Sequence, residues 1–194
     1  MTILANMKEQ IKRIFSDSID VKQATLSKNL ALIEKTVNLV GSSFNMGGKL
    51  FLFGNGGSAA DSQHIAAEFI GRFKRERKSL PAIALTTDSS VLTCLGNDYG
   101  YDTIFARQLE GLASKKDVCI GISTSGQSKN VIEGLKMAKK IGAKTVALTG
   151  NDGGLIGQLV DIHINVPSNN TARIQESHIC IGHAICELVE LIYC

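Results

Sequence analysis

Four apolar residues, Leu50 to Phe53, are halted by Gly54, Gly56 and Gly57, and a helical pattern opens at Ser58 with Asp61 in its first turn. So short an apolar run, bounded by glycines, predicts a strand buried on both faces. Glycines free the backbone to approach a ligand, and the first N–H groups of a helix lack partners within it. A turn of this kind can therefore seat an anion, most often a phosphate. The stretch Lys49 to Arg72 is the element around which the rest of the chain is organised.

Within the helix, Asp61, His64, Glu68 and Arg72 recur at i, i+3, i+7 and i+11, which stacks them on one side of an otherwise apolar helix. Such a stripe is either a solvated face or part of a site. Zinc and similar ions take imidazole nitrogen and carboxylate oxygen, and the i, i+4 spacing of His64 and Glu68 lets one helix offer two ligands to one ion. Two ligands alone do not make a metal site.

With 194 residues, 44% of them hydrophobic, the chain can bury a core as one α/β domain. Its net charge of +3 is dispersed apart from Lys74 to Lys78, which reads as a solvated loop and gives no case for nucleic acid. No apolar run is long enough to span a bilayer, and charges interrupt the apolar pattern of the first fifteen residues, against a signal peptide. Cys94, Cys119, Cys180, Cys186 and Cys194 are odd in number and scattered, as in a reducing cytoplasm, and read as small core residues.

A short amphipathic helix to about Phe15 precedes a seam helix carrying Leu26, Leu30, Ile33, Val37, Val40 and Phe44, which Asn45, Gly47 and Gly48 end. Further strands are expected at Ala82 to Leu85, Asp117 to Ile122, Lys144 to Leu148 and Asp161 to Val166. Helices are expected at Ser89 to Leu95, stopped by Gly96 and a turn at Asn97 to Gly100, then from Asp102 to Leu112, and after Ser128 to Ile141. This alternation predicts a five-stranded parallel sheet with helices on both faces.

The loop after the third strand carries Ser123, Thr124, Ser125 and Ser128 at a helix start, where hydroxyls and backbone N–H groups suit phosphate oxygens. Ordinary capping by Ser125 or Ser128 explains one hydroxyl but not four. The last helix, Thr171 to Tyr193, is apolar nearly all round, so its full burial calls for other subunits. His178 within it reads as a hydrogen-bonded core residue. Gln175 and His183 are separated by roughly 12 Å of helical rise. They reach one ion only if Gln175 precedes the regular helix or if different subunits supply them.

The segments GNGGSAADSQHIAAEFIGRF, GNDYG, GISTSGQS, ALTGNDGG and ARIQESHICIGH, in this order, resemble the sugar isomerase (SIS) domain and, within it, the phosphoheptose isomerases. The resemblance runs from about Lys49 to the C-terminus. It implies a single SIS domain with a flavodoxin-like, three-layer fold, whose N-terminal helices over residues 1–46 serve oligomer packing. It implies conversion of sedoheptulose 7-phosphate to D-glycero-D-manno-heptose 7-phosphate in a cytoplasmic homotetramer, with one zinc per subunit held by His64, Glu68, Gln175 and His183. It further implies Glu68 and His183 as the acid/base pair. Substrate contacts would come from Asn55, Gly56, Gly57, Glu68, Asn97, Asp98 and Gln175, with Ser123, Thr124, Ser125 and Ser128 on the phosphate. Where some relatives have Asp before the Arg-Ile-Gln-Glu run, this chain has Ala172, so that carboxylate's role is not transferred.

Two rivals are weighed. A related tetramer binds the bacterial replication initiator and does no isomerase chemistry, but it has serine and asparagine at the positions of Glu68 and His183. A dinucleotide enzyme is the other, since Gly54, Gly56 and Ala59 satisfy Gly-x-Gly-x-x-Gly/Ala. Its acidic partner about 20 residues on is absent, Asp88 lying too far along.

Overall fold

The computed structural model describes the backbone of residues 3–193 and the side chains of residues 6–193. Five parallel strands, β1 (Leu50–Gly54), β2 (Ala82–Ala84), β3 (Val118–Ser123), β4 (Lys144–Thr149) and β5 (Ile162–Asn165), lie in the order β2-β1-β3-β4-β5. The helices are α1 (Ile3–Asn45), α2 (Gly57–Ile70), α3 (Ser89–Tyr99), α4 (Ile104–Leu112), α5 (Lys129–Ile141) and α6 (Thr171–Tyr193).

Alternation along each strand sends side chains to two cores. Leu50, Leu52, Ile120, Val146 and Ile164 meet α1, α2 and α6 on one face. Phe51, Phe53, Cys119 and Ala147 meet α4 and α5 on the other. This is the expected three-layer arrangement. β1 lies between β2 and β3, and its following helix packs on the opposite face from α5, which follows β3. The loops leaving β1 and β3 therefore diverge and open a crevice at the carboxyl ends of the strands.

Several boundaries differ from the sequence expectation. The two N-terminal helices are one helix of 43 residues. No Gly or Pro interrupts it before Gly41, and the polar stretch after Phe15 is no barrier to a helix. Of the predicted seam, Ile33, Val37 and Val40 are buried, whereas Leu26 and Leu30 are exposed with Met7, Ile11, Ile14, Phe15 and Ile19. Asn29 stitches α1 to the sheet by donating to the Asn165 carbonyl at 3.0 Å.

α3 runs through Gly96 to Tyr99, so Asn97 and Asp98 are helical rather than in a turn. An interior glycine costs only about 1 kcal/mol, too little to stop a helix that Asp88 caps by accepting from the Val91 N–H. α2 begins at Gly57, putting Asp61 beyond its first turn, and it ends at Ile70. Arg72 thus lies outside the helix and pairs with Glu76 at 3.6 Å. Cys119 and Cys186 are core residues, but Cys94 and Cys180 are exposed; Cys194 lies outside the described residues. No described helix is long and apolar enough to cross a membrane.

Candidate active site

Between β1 and α2 the chain turns through Gly56, whose φ of 54° few L side chains adopt. No side chain caps α2. The Ser58 and Ala59 N–H groups instead fold back onto the carbonyls of Asn55 and Gly56, each at 3.0 Å. Asn55 exchanges two amide hydrogen bonds with Asn130, at 2.9 and 2.8 Å, and Asn130 is buried at the start of α5. That reciprocal pair ties the first loop to the second. The Tyr101 hydroxyl donates to the Asn55 side-chain Oδ1 at 3.3 Å, beside a cavity of about 200 Å³.

In the second loop, Ser128 occupies the N-cap position of α5 without capping it. Its hydroxyl faces that of Ser123 at 2.9 Å, and the Ser125 hydroxyl accepts from the Gln127 N–H. The loop is underpinned from the turn after β4, where the Gly150 N–H and the Asn151 amide both donate to the Thr124 carbonyl, at 3.1 and 2.9 Å. Gly126 has a φ of 65°, and a Cβ there would strike the Gly153 carbonyl. Asn97 and Asp98 are exposed on α3. Among the described residues their side chains bond only to each other and to Cys94.

One turn apart on α2, His64 and Glu68 meet at 3.1 Å, and His183 of α6 brings its Nε2 to 3.2 Å from that of His64. One ligand atom from each of the three lies within 4.8 Å of the others. Two imidazole nitrogens and a carboxylate oxygen converging on one point, open to solvent at His64, form the three-ligand donor set of catalytic zinc sites. The residues present fit such an ion. Phe73 lays its ring on His183, with centroids 5.4 Å apart. Asp61 lies beside this cluster with a buried oxygen that has no hydrogen-bond partner. Burial pushes its carboxyl up, against the pull of His64 and His183.

Gln175 lies inside α6, not before it, and its amide packs over Gly57 at the start of α2. A Cβ added at Gly182 would meet Ile65, so α2 and α6 run side by side in the same sense. Gln175 thus sits near the glycine loop and His183 near Glu68, about 12 Å apart along the helix. Of the two ways for both to reach one ion, regular helical geometry leaves only the one using different subunits. His178 is fully buried and faces the Thr149 carbonyl at 3.0 Å. Burial pushes its pKa down to about 4, against the opposing pull of that carbonyl. Ala172 is exposed in the first turn of α6, where the Asn170 side chain accepts from its N–H.

The Lys74 to Lys78 run, read as a solvated loop, contains a buried member. The Arg77 side chain is 5% exposed and pairs with Glu190, 2% exposed, at 3.2 Å. A charge run shows nothing of a partner 113 residues away. The one available signal was Glu190 itself, an acid within the apolar pattern of α6.

A model of the SIS domain matches residues 15–150. The chain is 54% identical to the phosphoheptose isomerase of Aquifex aeolicus over 97% of its own length and 98% of the relative's. It is 50% identical to that of Thermodesulfovibrio yellowstonii over 95% and 92%. Among solved structures, the phosphoheptose isomerase of Neisseria gonorrhoeae superposes with a TM-score of 0.91 at 42% identity, covering 96% of this chain and all of that one. Its Francisella tularensis counterpart gives 0.92 at 36%, covering 98% and all. Fold, ordered motifs and relatives agree: the chain belongs to the SIS-domain family and, within it, to the phosphoheptose isomerases.

Proposed function

We propose that the protein isomerises sedoheptulose 7-phosphate to D-glycero-D-manno-heptose 7-phosphate, as the first step of a bacterial heptose precursor route in the cytoplasm. The observation that carries this reading is the convergence of His64, Glu68 and His183 beside a crevice flanked by a glycine loop and a hydroxyl loop.

Moving a carbonyl from carbon 2 to carbon 1 requires removing a proton from carbon, through an enediol whose oxygen carries developing charge. Glu68 and His183 act as the acid/base pair, within hydrogen-bond reach of one another's surroundings through His64. His64, Glu68 and His183, with Gln175 from another subunit, would hold a zinc ion, which would supply charge stabilisation at that oxygen. Coordination would weaken the Glu68 carboxylate as a base, so its proton-transfer role would require it to be free of the ion. Asn55, Gly56, Gly57, Asn97, Asp98 and Gln175 contact the sugar, and Ser123, Thr124, Ser125 and Ser128 take the phosphate.

A homotetramer built through the N-terminal segment 1–46 of a single SIS domain, which contains α1, is part of the same reading. Its support is the row of exposed apolar residues from Met7 to Leu30 on α1, and Leu188, Leu191 and Ile192 on α6.

The test is incubation of purified protein with sedoheptulose 7-phosphate, followed by NMR, after chelation and again with added zinc. Zinc-dependent appearance of an aldoheptose 7-phosphate is expected. A fully active metal-free preparation refutes the metal role, and no conversion under either condition refutes the reaction.

A further inference from the structure

The Arg77–Glu190 pair does more than fill the core. The Arg77 guanidinium donates to the carbonyls of Phe69, Gly71 and Lys78 at 2.9, 3.1 and 3.0 Å, and to the carbonyl of Glu68 itself at 2.8 Å. The carbonyls of Glu68, Phe69 and Gly71 lie at and just beyond the C-terminus of α2, where carbonyls lack helical partners and a cation is favoured. Glu190 accepts from the N–H groups of Phe73 and Lys74 at 2.9 and 2.7 Å, and from that of Arg75. It thereby fixes the segment that places the Phe73 ring on His183.

Stability alone is a poor explanation for such a pair, because a buried ion pair is often matched or bettered by well-packed apolar residues. What the guanidinium fork supplies is direction, several bonds at set angles from one rigid plane. The pair thus reaches both arms of the His64, Glu68 and His183 cluster, α2 through the Arg77 bond to the Glu68 carbonyl and His183 of α6 through Phe73, from whose N–H Glu190 accepts.

We propose that Arg77 and Glu190 are positioning residues that set the spacing between Glu68 and His183 for binding a divalent metal ion. The proposal rests on the metal-site reading given above. Neither residue touches the cluster's ligand atoms.

The experiment uses Co²⁺ as a visible probe on the metal-stripped full chain, with affinity measured by competition against a chromophoric chelator. Arg77→Lys keeps the charge but not the fork, and Glu190→Gln keeps an acceptor but not the charge. Each is expected to weaken cobalt binding about tenfold, the lower end of the effect of outer-shell partners, and to alter the cobalt absorption band, with circular dichroism and molecular mass unchanged. A purely structural role would lower the unfolding midpoint and leave the band and affinity of the folded protein alone; that result overturns the proposal.

A second measurement needs no variant. Linkage is reciprocal, so cobalt must slow hydrogen exchange at the amides of Phe73, Lys74 and Arg75 in the unaltered protein; unchanged exchange also overturns it. If the unaltered protein binds no cobalt, the metal-site reading itself fails. If it binds cobalt and both variants bind equally well, only the positioning role fails.

Discussion

At its start α2 meets the crevice through glycine, an amide pair and the overlying Gln175; at its far end it carries His64 and Glu68 and is clamped by buried charge. The first end is shaped by what is absent, since Gly56 takes a φ of 54° and a Cβ on Gly57 would strike Gln175. The second is shaped by what is fixed, since acid/base chemistry tolerates little misplacement. In the proposed reaction one helix thus joins a permissive binding end to a rigid chemical end, and substitutions at the two should differ in kind.

The sharpest contrast lies at the rigid end. Glu68→Gln or His183→Ala should cut turnover by at least about 10²-fold, in the range of lost general acid/base catalysis, with the oligomer's mass unchanged on size-exclusion with light scattering. Near-normal turnover in either would remove both from the chemistry. At the phosphate loop, Ser123→Ala with Ser125→Ala should instead raise KM about tenfold, the scale of a charge-assisted hydrogen bond, with kcat little altered. An unchanged KM would withdraw the phosphate assignment.

Glycine substitutions separate the start of α2 from the loop after β3. Gly126→Ala meets both left-handed backbone and the Gly153 carbonyl, so urea unfolding should show a loss of at least about 2 kcal/mol. Gly57→Ala meets only the mobile end of Gln175; it should disturb KM while stability falls by less than about 1 kcal/mol. Equal stability losses would erase the distinction between them.

A further contrast concerns His178, between the two ends of α6. Its folded pKa is depressed to about 4, so the unfolded chain binds the proton more readily. Its stabilising contribution is present above the ordinary histidine pKa, near 6.5, and is lost as pH falls from there toward 4. His178→Gln, which keeps a donor for Thr149, should flatten the pH dependence of the unfolding free energy across that window; an unaltered slope would place the titrating group elsewhere.

Much of this was legible in local sequence. The β1 strand follows from a short apolar run and its glycine stops, α6 from a long and nearly continuous apolar pattern, and the pairing of His64 with Glu68 from i, i+4 spacing. The third member, His183, was nameable only by resemblance, because nothing local joins residues 119 apart. Arg77 was misread for the same reason. Gly96 was over-read as a stop, and the unbroken α1 was split, because neither the modest cost of one glycine nor the continuity of a polar stretch shows in hydrophobic periodicity. The place of Gln175 needed the parallel course of α2 and α6, which no single segment encodes.

The strand order has a longer consequence. Because the crevice arises where the connections after β1 and β3 leave on opposite faces, it belongs to the path of the chain and not to any side chain. No point substitution can abolish it. Loops at its rim can thus change in sequence over many generations, while the opening they surround is inherited with the topology.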